Sequence, residues 1–208
     1  MLNKSEINDF YRERLHEHGA SAEGVGWRDQ SAQEIRFRQL LKVIDTDKPF
    51  TINDLGCGTG DLIKLLDSWY REQYTYTGYD TLDEMVFLAR QQFKKSKSAE
   101  FHLLTDYKQL TPKDYSVASG IFNVRNSISN DEWQAYIMKT IHALNDCSEK
   151  GFAFNALTKY SDADKMRPEL YYSDPLFLFD YCKKNFSKNV ALFHDYTIYD
   201  FTIVVRKS

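Results

Sequence analysis

The chain is short of several features that each define a kind of protein. It has three cysteines, Cys57, Cys147 and Cys182, an odd number with no Cys-x-x-Cys or Cys/His metal-ligand spacing. That argues against a disulfide-stapled scaffold and a zinc module, and suits reduced thiols in the cytoplasm. Proline is scarce at four, and no repeat or low-complexity tract suggests a linker. No apolar run approaches the roughly 18 residues of a membrane span. The opening residues Met1–Ile7 are too polar for a signal-peptide core. Basic charge is not in excess either. Lys and Arg number 27 against 30 Asp and Glu, a net charge of −3, whereas proteins that grip nucleic-acid backbones carry a basic face.

What is present fits one globular domain of 208 residues, 42 % hydrophobic and 15 % aromatic, the last figure being high. Ser5–His18 has Ile7, Phe10, Tyr11 and Leu15 at helical spacing. A small-residue loop, Gly19–Trp27, precedes a second helix that Asp29 or Ser31 can cap and that runs to about Ile44. Strand and helix signals then alternate. Strands are expected at 50–55, 74–79, 101–104, 115–122, 151–157, 190–197 and 201–206, and helices at 61–70, 82–93, 131–145 and 174–186. Only Ile198-Tyr199-Asp200 separates the last two strands. That is too short for a parallel crossover, so they form an antiparallel hairpin. The pattern predicts an α/β fold, doubly wound, with a mostly parallel seven-stranded sheet, a reversed strand near the end and an N-terminal helical extension. Ligands of such sheets bind beyond the carboxyl ends of the strands.

The most informative segment is Asp54-Leu55-Gly56-Cys57-Gly58-Thr59-Gly60, after one strand and before one helix. Glycines permit a tight turn and close backbone approach, and the helix start offers free N–H groups. A phosphate-binding P-loop requires Gly-Lys-Ser/Thr, but Asp61 and Leu62 follow. A dinucleotide fingerprint fits poorly, since Asp61 would face a pyrophosphate. The pattern Asp-x-Gly-x-Gly-x-Gly resembles the first motif of class I S-adenosylmethionine-dependent methyltransferases. An acidic loop suits that sulfonium- and ammonium-bearing ligand better than a phosphate.

The resemblance covers about residues 50–157 and the closing hairpin, and implies a Rossmann-like core with S-adenosylmethionine as methyl donor. Asp54, Gly56, Cys57, Gly58 and Gly60 then belong to the donor loop. Asp80 ends the next strand 24 positions after Gly56 and inherits the ribose hydroxyls, with Thr81 beside it and Leu82 and Met85 against the adenine. The alternative for Asp80 is an N-cap of the following helix. Asp106, next to Tyr107, matches the family's adenine-contacting acid. Ser119 and Gly120 let the donor's methionyl part approach the fourth strand.

Family members differ in what covers the pocket. Here residues 1–48 form a helical cap or lid on the core of residues 49–208, with an insertion at 158–173, all in one domain. Trp27 is a candidate lid tip or a packing residue, and Arg36, Arg125, Tyr171 and Tyr172 are candidate acceptor-binding residues. His194 is a candidate general base for an O–H or N–H acceptor. Phe10, Tyr11, Trp27, Tyr160, Tyr171 and Tyr172 fall outside the strand–helix frame, where aromatic faces suit a sulfonium and a flat acceptor. No metal cluster stands out. These features predict methylation of a small molecule at O or N. RNA or protein methylation, or a non-catalytic ligand-binding module, are the alternatives.

Overall fold

The computed structural model describes residues 5–26, 29–71 and 73–207. Helices α1 (Ser5–His18) and α2 (Gln30–Leu40) precede β1 (Phe50–Leu55), α3 (Leu62–Tyr70), β2 (Tyr74–Asp80), α4 (Asp83–Gln92), β3 (Ala99–Leu103) and β4 (Lys113–Ala118). Then come α5 (Asn130–Asp146), β5 (Ser148–Leu157), α6 (Pro175–Asn185), β6 (Asn189–Phe193) and β7 (Asp200–Arg206). The strand order is β3-β2-β1-β4-β5-β7-β6. Only β7 runs against its neighbours β5 and β6. The expected seven-stranded, doubly wound α/β sheet with a reversed strand is what forms. Because β1 sits between β2 and β4, the strand order switches beside it and a crevice opens at the carboxyl ends.

Period-two side chains divide the core. Ala153 and Val204 face α2, α3 and α4, where Leu40, Leu62 and Val86 pack. Their neighbours Phe152, Phe154, Ile203 and Val205 face Trp133, Ile137 and Ile141 of α5 and Leu178 of α6. Local chemistry sets the helix starts. Asp29 Oδ1 accepts from the Ala32 N–H at 2.7 Å, and Asp174 accepts from the Leu176 N–H at 3.0 Å just before Pro175.

Boundaries shift from the sequence expectation at several elements, and the ends of α2, β4 and β6 are the most informative. The last turn of α2 tightens into a 3₁₀ turn, Leu41–Val43. Strand β4 ends at Ala118 rather than Phe122, because Gly120 turns to φ 73° and its N–H is taken by the buried Asn155 side chain at 2.8 Å. Strand β6 ends at Phe193 rather than Thr197. There the chain turns, Thr197 adopts φ 57° and the Tyr196 hydroxyl reaches Thr202 at 2.8 Å.

One buried ion pair locks α2 to β7. Arg36 Nε donates to Asp200 Oδ1 at 3.0 Å, the second guanidinium arm grips Oδ2, and Nη1 donates to the Ala32 carbonyl at 2.7 Å. Both side chains are withdrawn from water, at 10 % and 0 % exposure. Breaking such a pair strands a buried charge. Asp200→Asn is therefore expected to lose about 3–5 kcal/mol in urea unfolding. The apolar double substitution Arg36→Met with Asp200→Leu is expected to lose clearly less.

Candidate active site

The glycine turn after β1 is pinned from the neighbouring strand. The N–H groups of Gly56 and Cys57 both donate to the Tyr79 carbonyl, at 2.7 and 3.1 Å. Gly56 has φ 75°, and a Cβ there would lie 2.2 Å from the Ile121 side chain, so only glycine fits against the loop after β4. Asp80 then joins the turns after β1 and β2. Its Oδ2 accepts from the Gly58 N–H at 2.9 Å and its Oδ1 from the Leu82 N–H at 3.0 Å. The same carboxylate lines the cavity, where it is placed to accept from hydroxyl groups.

Behind this rim Asp54 is buried on β1, where the Tyr76 hydroxyl donates to it at 2.7 Å. Burial raises its pKa from 3.8 to about 7; the Tyr76 bond opposes the shift, and the negative charges of Asp80 and Asp61 add to it. A carboxyl held in this way favours a cation arriving beside it.

These groups open into a cavity of about 810 Å³. Asp54, Gly56, Cys57, Gly58, Asp80, Thr81, Leu82, Met85, Tyr107, Ser119 and Gly120 line one part of it. Arg36, Tyr172 and His194 line it too, with Gln33, Tyr199 and Asp200. Arg36 stands there already committed to Asp200, so it shapes the wall through that pair rather than as a free cation. His194 follows β6, with ring centres of Tyr160 and Phe201 at 6.1 and 6.2 Å. The Tyr172 hydroxyl accepts from the Arg167 N–H at 2.9 Å, which leaves its own proton to donate.

Four expected site residues lie outside this cavity. A Cβ on Gly60 would come within 2.9 Å of the Phe93 and Phe101 rings, so that glycine serves packing. Asp106 is exposed and caps a 3₁₀ turn by accepting from the Lys108 N–H at 2.9 Å. The Arg125 guanidinium is spent on the carbonyls of Asn126, Ile128 and Pro168. Tyr171 faces a separate recess of about 270 Å³ with Lys159 and Ser173. Trp27 falls outside the described residues.

Helix α1 roofs the cavity with Ile7, Asn8, Phe10, Tyr11 and Arg14, and Tyr136 of α5 joins from the side. Phe10 and Tyr11 stood out in the sequence as aromatics beyond the core frame. Asn8, Arg14, Gln33 and Tyr136 gave no such signal, since only the packing of α1, α2 and α5 turns them inward. Among the described residues, no group of three or more His, Cys, Asp or Glu can hold a metal ion, and no helix is long and apolar enough to cross a membrane.

Comparison with known proteins agrees with this geometry. Residues 52–146 match the family model described as a methyltransferase domain. The Mycobacterium tuberculosis protein named "Putative methyltransferase Rv1506c" is 49 % identical over 168 residues, 81 % of this chain and 99 % of that protein. In fold, the chain resembles magnesium protoporphyrin IX methyltransferase of Synechocystis, solved with bound S-adenosylhomocysteine. The TM-score is 0.67 at 17 % identity, covering 99 % of this chain and 100 % of that one. Human N-acetylserotonin methyltransferase, solved with S-adenosylmethionine, gives 0.64 at 18 % identity, over 100 % of this chain and 60 % of that one. The chain belongs to the class I S-adenosylmethionine-dependent methyltransferases.

S-Adenosylmethionine supplies a methyl group on a positively charged sulfur, and the residues present fit it. The Asp80 carboxylate at the cavity wall can accept from hydroxyls, Leu82 and Met85 give an apolar wall, and the buried Asp54 carboxyl favours positive charge. A pH signature follows from Asp54. Its proton is held up to about pH 7 in the fold but is lost near the ordinary 3.8 in the unfolded chain. Raising the pH across that window therefore lowers the stability of the ligand-free protein. A cationic ligand selects the ionised form, so affinity for S-adenosylmethionine is expected to rise from pH 6 to pH 8. In calorimetric titrations Asp54→Asn is expected to flatten that rise; an identical pH profile in the variant would contradict the assignment.

Proposed function

We propose that this enzyme methylates an oxygen or nitrogen atom of a small molecule in the cytoplasm. The observation that carries the reading is the roofed cavity. At about 810 Å³ it lies high in the ~300–1,000 Å³ range of small-molecule sites, so a small acceptor can share it with the donor. Its roof is fastened on both sides. Glu6 of α1 accepts from the Ser127 hydroxyl at 2.6 Å, and Arg12 donates to Glu84 at 2.7 Å. An RNA or protein side chain would have to pass beneath that helix. The net charge of −3 and the three free, buried cysteines agree with this reading and with a reducing compartment.

In this reading the acceptor lies among Tyr172, Gln33 and His194, opposite Asp54 and Ser119. Tyr172 donates its free hydroxyl proton to the acceptor, and the apolar walls Phe37 and Trp133 exclude water. The His194 imidazole takes the proton that an O–H or N–H acceptor gives up. The Arg36–Asp200 pair holds the start of β7 and with it the turn that bears His194.

The test is methyl transfer from labelled S-adenosylmethionine into fractionated extracts. Label is expected in the small-molecule fraction; label confined to RNA or protein would overturn the reading. With the acceptor in hand, His194→Gln is expected to lower kcat by about 10²–10⁴ while leaving S-adenosylhomocysteine affinity unchanged.

A further inference from the structure

Helix α1 meets the site along one stripe. Asn8, Tyr11, Arg12 and Leu15 share a helix face, and that face lands on the residues directly after Asp80. Asn8 Oδ1 accepts from the Thr81 hydroxyl at 3.2 Å. Arg12 Nε donates to Glu84 Oε1 at 2.7 Å. Leu15 and Tyr11 pack with Leu82 and Met85, the apolar wall beside Asp80.

Tyr11 stands mid-stripe. Its ring fits under Gly26, where a Cβ would lie 2.9 Å from Cε1, so the loop after α1 leaves just enough room for it. The ring also touches the core beneath α5, and Tyr11, Tyr136 and Asp80 line the cavity together. Among the described residues no hydrogen bond engages the Tyr11 hydroxyl. Burial, then the negative charge of Asp80, raise its pKa well above the ordinary tyrosine value, so it remains a neutral O–H donor.

We infer that Tyr11 is a donor-binding residue carried by the roof: its hydroxyl hydrogen-bonds the adenosyl ligand seated at Asp80, so ligand binding and docking of α1 are coupled. This rests on the placement of S-adenosylmethionine in this cavity and is independent of the acceptor. A ligand that contacts α1 only when the helix is docked must stabilise the docked state by the difference. Undocking of α1 then precedes release of S-adenosylhomocysteine.

The experiment pairs calorimetry with hydrogen exchange, using S-adenosylhomocysteine as probe. Tyr11→Phe keeps the ring and removes the hydroxyl. It is expected to weaken binding about tenfold, the effect of one lost hydrogen bond to a buried partner, with the ligand-free melting temperature unchanged. Arg12→Ala, whose side chain is outside the cavity, is expected to weaken binding through docking alone. In the unaltered protein the ligand is expected to slow amide exchange throughout residues 5–18. Wild-type affinity in Tyr11→Phe, or exchange in α1 indifferent to the ligand, overturns the inference. If Asp80→Ala abolishes binding while Tyr11→Phe does not weaken it, the donor site stands and only the role of Tyr11 falls. If the unaltered protein does not bind the probe, the placement of the donor falls first.

Discussion

The Asp80 carboxylate holds two loops at once. One oxygen takes the Gly58 N–H and the other the Leu82 N–H, so the turns after β1 and β2 are fixed relative to each other before any ligand arrives. Parallel pairing of the two strands brings the turns side by side. The Tyr79 carbonyl adds two more bonds to the same turn. A ligand whose hydroxyls reach that carboxylate meets a rim already held in place, and preorganisation of this kind preserves binding energy. The packing of α1 depends on the same carboxylate, because its contacts fall on Thr81, Leu82, Glu84 and Met85, whose position Asp80 sets.

Electrostatics give the site its preference. Asp54, Asp61 and Asp80 cluster around the glycine turn, and burial makes the ionised form of Asp54 unfavourable in the empty fold. An arriving cation relieves that strain, whereas a phosphate would aggravate it. The acidic loop that suited a cation in the sequence thus includes a buried group, Asp54, with a raised pKa. Elsewhere in the cavity wall Arg36 and Asp200 cancel each other's charge, and the uncharged Tyr172 and Gln33 line the same cavity.

Much of the fold was legible because its determinants are local. The Ser5–His18 helix, the glycine turn and the three-residue link before β7 each announce themselves within a few residues. The ends of β4 and β6 were not, since Asn155 stops β4 from a strand 35 positions away in sequence and Tyr196 folds inward to Thr202. The site divided along the same line. The glycine turn and Asp80 follow from their place after a strand. Arg36 read as a free cation because its partner lies 164 residues away. Asp106 and Arg125 carry suitable chemistry, yet a local cap and nearby carbonyls claim them. Tyr136 gave no sign, because which face of α5 turns to the crevice depends on Trp133 and Ile137 entering the core.

Donor geometry, roof and charge all converge on one pose, and a crystal structure with S-adenosylhomocysteine tests it most directly. The ribose hydroxyls should lie on the Asp80 carboxylate, the adenine against Leu82 and Met85, and the amino group toward Asp54, with α1 seated over them. A ligand bound away from Asp80, or bound there with α1 displaced from Thr81 and Glu84, would contradict it.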